Sequence, residues 1–133
     1  MSRVIKFRAW EISEYGNEMH YIDLYFFEGN MIREWPADNG HAFTGTYELM
    51  QFTGLTDRLG KDVYEGDIVR SRNVFAPTVH IFEVFWRSKF AGFFLKEVGK
   101  QDEQNTWVEL MHGGNVTDLE VIGNIYENPE LIQ

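Results

Sequence analysis

The 133-residue chain contains no cysteine, which excludes disulfides, thiolate metal sites and a cysteine nucleophile. Proline is scarce, with three residues in the whole chain. No stretch approaches the roughly 18 consecutive apolar residues that a membrane-spanning helix needs. The opening segment Met1–Trp10 alternates charged and apolar side chains where a secretion signal would be continuously apolar. A soluble, cytoplasmic protein without membrane partners is expected. Basic residues are missing from positions 101–133, which carry seven acidic side chains. The net charge of −9 disfavours general binding to nucleic-acid backbones or anionic lipid, where affinity comes from lysine and arginine displacing counterions.

Catalytic and cofactor signatures are also missing. There is no Gly-x-Ser-x-Gly elbow, no Walker loop and no Gly-x-Gly-x-x-Gly fingerprint. His20, His41, His80 and His112 lie in separate segments without metal-ligand spacing. Asp57, Asp62, Glu65 and Asp67 are crowded but lack the ligand order of a calcium loop. We therefore assign no catalytic residue, no metal ligand and no cofactor, and expect a protein that is not an enzyme.

Rings and apolar side chains are plentiful. Hydrophobic residues make up 44% of the chain and aromatic residues 16%, including eleven Phe, six Tyr and four Trp. This composition is too apolar for disorder and favours pleated surfaces, on which aromatic and β-branched side chains pack well. Charge is unevenly spread: residues 1–67 sum to −6, residues 68–100 to +4 and residues 101–133 to −7. Either the basic middle faces the acidic end, within or between subunits, or the two occupy separate solvated faces.

Period-2 alternation places a half-buried strand over Val4–Trp10, with Ile5, Phe7 and Ala9 on one face and Lys6 and Arg8 on the other. Glu14–Asn17 is a turn, and Met19–Phe27 pairs back as a hairpin. Residues 29–43, with Trp35-Pro36-Ala37-Asp38-Asn39-Gly40, read as a long connection. Thr46–Thr53 is a strand, with Asp57 closing and Gly60 permitting the turn that follows it. At Glu65-Gly66-Asp67 the glycine allows an unusual backbone angle, and Asp67 bonds nearby amides before Ile68 and Val69 enter the core. Thr78–Arg87 and Phe90–Val98 form a hairpin-like pair in which Trp86 and Phe90 are expected in the core. Polar residues 99–106 form a loop, Trp107–Leu110 is an ambiguous strand or short helix, Gly113–Asn115 is a break, and a last strand covers Leu119–Glu127.

Three blocks carry a family resemblance: Ile5-Lys6-Phe7-Arg8-Ala9-Trp10; Leu49-Met50-Gln51-Phe52-Thr53-Gly54-Leu55 followed by Gly60-Lys61-Asp62-Val63-Tyr64-Glu65-Gly66-Asp67-Ile68-Val69; and Val121-Ile122-Gly123-Asn124-Ile125-Tyr126-Glu127-Asn128-Pro129-Glu130-Leu131. Together they resemble the YopX family, except that Glu11 stands where the family's opening would have aspartate. The resemblance implies phage or prophage origin, a bacterial host cell, a largely β architecture and homo-oligomers. It transfers no catalytic residue. Asp57, Gly60, Gly66 and Asp67 are residue types that turns require, so they read as fold determinants.

The expectation is a mainly β protein: a smaller N-terminal β lobe with its connecting loop over residues 1–45, and an SH3-like barrel over residues 46–133. The function expected is that of a non-enzymatic accessory protein that self-associates and binds a host or phage protein. Arg70, Arg72, Arg87 and Lys89 form a candidate interaction patch, in which cations beside rings would also suit single-stranded nucleic acid. Two alternatives follow: a nucleic-acid binder using that patch, which requires the four cations to converge, and an acidic decoy that mimics DNA.

Overall fold

The computed structural model describes residues 4–22, 25–27, 31–33, 46–72, 79–99, 108–109 and 119–133. Strands dominate, with a 3-10 turn at Ser88–Phe90 and another, after the last strand, at Pro129–Ile132. Among the described residues no helix is long and apolar enough to cross a membrane. The Trp35–Gly40 connection, the polar loop at 100–106 and the Gly113–Asn115 break lie outside the described residues. The chain divides into two compact units, Met1–Gly54 and Leu55–Gln133.

The N-terminal unit contains strands β1 (Phe7–Ser13), β2 (Gly16–Ile22), β3 (Tyr25–Phe27) and β4 (Met31–Arg33), and most of β5 (Thr46–Thr56). Strand β1 pairs antiparallel with β2 on one side and β5 on the other, and β3 with β4 forms a separate ribbon. The β1–β2 turn is held by Ser13, whose hydroxyl donates to the Gly16 carbonyl (2.8 Å) and accepts from the Tyr15 N–H (3.2 Å). Gly16 takes φ +121° there, a value that favours glycine.

Burial corrects the half-buried reading of β1. Ala9 is inaccessible as expected, but Arg8 on the opposite face is only 3% exposed. It stands in register between buried Met50 and exposed Tyr21. Alternation identifies the residues that share a face; it does not show whether water reaches that face.

The C-terminal unit contains β6 (Asp62–Tyr64), β7 (Asp67–Arg72), β8 (Val79–Arg87), β9 (Gly92–Glu97), β10 (Val108–Glu109) and β11 (Leu119–Asn124). Strands β7 to β11 form one antiparallel sheet in the order β10-β9-β8-β7-β11. Val63, Val69, Val84 and Leu95 make its core, with Leu55, Phe82, Phe93, Leu119 and Val121 packed against them. Phe82 with Val84, Phe93 with Leu95 and Leu119 with Val121 obey period-2 spacing on β8, β9 and β11, whereas on β7 the adjacent Ile68 and Val69 are both inaccessible.

Candidate functional site

Two carboxylates organise the turns of the C-terminal unit. Asp57 is 7% exposed, and its Oδ1 accepts from the N–H groups of Leu59 (2.9 Å) and Lys61 (2.8 Å) while its Oδ2 accepts from the Val121 N–H (3.0 Å). Burial works against the charge, but the three amides, aided by the Lys61 ammonium, hold the carboxyl below the usual aspartate range. Gly60, at φ +84°, completes the turn. Asp67 Oδ2 accepts from the Tyr64 N–H (2.8 Å). Between them Gly66, at φ +88°, donates to the Val84 carbonyl (2.8 Å) and accepts from the Ile125 N–H (2.9 Å).

The closing motif is a second structural device, and its inner logic escaped the sequence reading. Asn124 Oδ1 accepts from the Tyr126 (3.1 Å) and Glu127 (2.8 Å) N–H groups, and its Nδ2 donates to Glu127 (2.8 Å). Asn128 Oδ1 accepts from the Asn124 N–H (3.2 Å). A Cβ at Gly123 would lie 2.5 Å from Asn128 Oδ1, so the glycine makes room for the second asparagine. The Gly-Asn-x-x-x-Asn-Pro spacing was the available signal.

The predicted cationic patch separates into parts. Arg70 donates to Glu120 Oε2 (2.6 Å), and Arg58 reaches the same carboxylate (3.3 Å). The Arg70 hydrogen bond, together with the two positive charges, lowers the Glu120 carboxyl despite partial burial. Arg72 pairs along the backbone with Val79. Arg87 and Lys89 lie at the far end of β8. Arg70 pairs with Ile81, and Arg87 is six residues further along β8, about 20 Å at strand spacing. On the sheet face that Arg70 and Arg87 share, Glu83 stands between them, and Glu120 flanks Arg70 on the side away from β8.

At the β8–β9 turn, cations and rings do converge. The guanidinium of Arg87 lies 4.6 Å from the Phe90 ring centroid and 5.6 Å from that of Phe94, and the Lys89 ammonium lies 5.9 Å from Phe90. Phe90 and Phe94 pack at 5.7 Å, and on the opposite face Trp86 meets Phe93 edge-on at 5.0 Å. Ala91 ends the turn at φ +47°. Trp86 is 43% exposed and Phe90 56% exposed, which corrects their expected place in the core. Trp86 has the strand parity of buried Val84, but the core ends before the turn, and Phe90 lies in the 3-10 turn itself.

Two histidine–glutamate pairs also emerge, each joining residues distant in sequence. His20 Nε2 lies 2.8 Å from Glu11 Oε2 in the N-terminal unit, with Glu18 at 4.0 Å, and His80 Nδ1 lies 2.8 Å from Glu97 Oε1 in the C-terminal unit. His41 and His112 are outside the described residues. Among the described residues no three His, Asp or Glu side chains gather to hold a metal ion. An open cavity of about 280 Å³ is lined by Glu83, Lys96, Glu97, Val98, Gly99 and Ile132. Burial raises the Glu83 carboxyl, with Lys96 opposing the shift.

The fold and surface describe a small mainly β protein with turn-organising carboxylates and a cation–aromatic hairpin end. The chain belongs to the YopX family, whose model, described as YopX protein, matches residues 6–133. It is also similar to a solved structure, protein EF1440 from Enterococcus faecalis, with 26% identity and a TM-score of 0.59; the match covers 99% of this chain and 100% of that one. No curated protein matches.

Proposed function

We propose that this chain is a non-enzymatic phage or prophage accessory protein that self-associates and binds a host or phage protein by surface contact. The observation that carries this reading is the set of large apolar side chains at the surface of both units. Tyr47 and Leu49, each 53% exposed, share one face of β5 in the N-terminal unit. Trp86 and Phe90 project at the hairpin end of the C-terminal unit. Exposed rings beside arginine are the composition of protein contact centres, and apolar side chains clustered on a sheet face favour burial against another copy. Family membership supports the accessory role. For the finer fold we read an SH3-like barrel in the C-terminal part: a meander from β7 to β10, with β11 returning to pair with β7, is the strand order that supports it.

Sedimentation velocity at low and high salt tests the self-association. The expected result is a species larger than the monomer that moves toward monomer in the Tyr47→Ser/Leu49→Ser variant. A wild-type protein that sediments as a monomer under both conditions overturns this reading.

A further inference from the structure

The β8–β9 turn is a locally cationic stretch of an acidic chain. Between Glu83 and Glu97 there is no acidic residue, while Arg87, Lys89 and Lys96 are all cationic. Arg87 and Lys89 flank a ring more than half exposed to water, and Arg87 rests against two rings at once. A guanidinium held against aromatic faces has fewer conformations to lose on binding, and its planar N–H groups match a carboxylate with two parallel hydrogen bonds. Phe90 offers apolar area beside those charges.

Resting on the contact function proposed above, we propose that the turn formed by Arg87, Lys89 and Phe90 docks an acidic protein segment in which carboxylates flank an aromatic or large aliphatic residue. The carboxylates engage Arg87 and Lys89, and the apolar residue packs on Phe90. Charge complementarity selects this occupant from a surface that is negative overall. At physiological salt the net charge acts only within about 8 Å, so the local cations govern a short ligand. A single-stranded nucleic acid is the poorer fit, because it needs a positive track across successive phosphates. Going from Arg87 toward Arg70 on the same sheet face, a strand would meet Glu83 on the way and an Arg70 already paired with Glu120.

Fluorescence anisotropy on the full chain tests the assignment with four labelled probes: a peptide with a central phenylalanine flanked by glutamates, the same peptide with glutamines, the same peptide with alanine for phenylalanine, and an oligothymidylate of similar charge. The acidic aromatic peptide should bind more tightly than the other three. Arg87→Ala/Lys89→Ala removes both charge-assisted contacts and should weaken it at least about tenfold, with Arg87→Lys falling between that variant and wild type. Phe90→Ala should erase the preference for phenylalanine over alanine. Unchanged circular dichroism in each variant separates lost contact from lost fold. Equal binding of the glutamine peptide, no effect of the Arg87 and Lys89 changes, tighter binding of the oligothymidylate, or no binding of any peptide overturns the proposal. Sedimentation keeps the two claims distinguishable: a protein that self-associates through Tyr47 and Leu49 but ignores the acidic peptide retains the contact function and loses this assignment.

Discussion

At Asp57 one carboxylate satisfies two amides of its own turn and one from β11, a strand more than 60 residues away in sequence. Its folded-state pKa lies below its unfolded value, so its stabilisation is complete above about pH 3.9, the unfolded aspartate value, and is lost as pH falls through the folded value. Asp57→Asn keeps an acceptor but puts an NH2 group against an N–H donor. The variant should lose about 1–3 kcal/mol at neutral pH, a difference that urea denaturation would show narrowing in acid. Glu83 has the opposite sign. Burial raises its folded pKa, so its charge opposes folding at neutral pH and the penalty disappears as pH falls below the unfolded value of about 4.3. Glu83→Gln should therefore resist urea better than wild type at pH 7, and the advantage should vanish in acid; a variant weaker at pH 7 would show that the contact with Lys96 outweighs burial.

Turns and strands were legible in the sequence to the extent that their chemistry is local. Gly60, Gly66, Asp57 and Asp67 could be assigned to turns because a positive φ and a short carboxylate leave few other choices. The hairpins β1–β2 and β8–β9 followed from alternation and spacing. Local patterning does not record where a core ends, so Trp86 and Phe90 were expected inside and Arg8 outside, the reverse of what burial shows. The separation of Arg70 from Arg87 was equally hidden, since it depends on β7 pairing at the opposite end of β8. The turn after β11 lies between these cases: its residues were quotable as a motif, but the fit of Gly123 under Asn128 is a tertiary fact. Gly123→Ala should cost about 1–3 kcal/mol by overpacking. Asn128→Ala removes the obstructing amide, so the double variant should lose less than the sum of the two single changes. Strict additivity in thermal or urea unfolding would remove the steric account.

For the whole molecule, charge and apolar surface give salt effects of opposite sign at the two proposed contacts. Every copy carries a net charge of −9 at pH 7, so bringing copies together works against long-range repulsion that added salt screens. If Tyr47 and Leu49 supply the attraction, that attraction persists in salt while the repulsion fades. Self-association should strengthen from low to moderate ionic strength, and also as pH approaches the sequence pI of about 4.8. Docking of a glutamate-bearing peptide at Arg87 and Lys89 rests on attraction between opposite charges, so the same salt should weaken it. The decisive measurement is a paired titration in one buffer series, with sedimentation reporting the assembly and anisotropy reporting the peptide. Association that weakens in parallel with peptide binding would move the self-contact from the apolar face of β5 to a charge-matched surface, and the Tyr47→Ser/Leu49→Ser variant would then sediment like wild type.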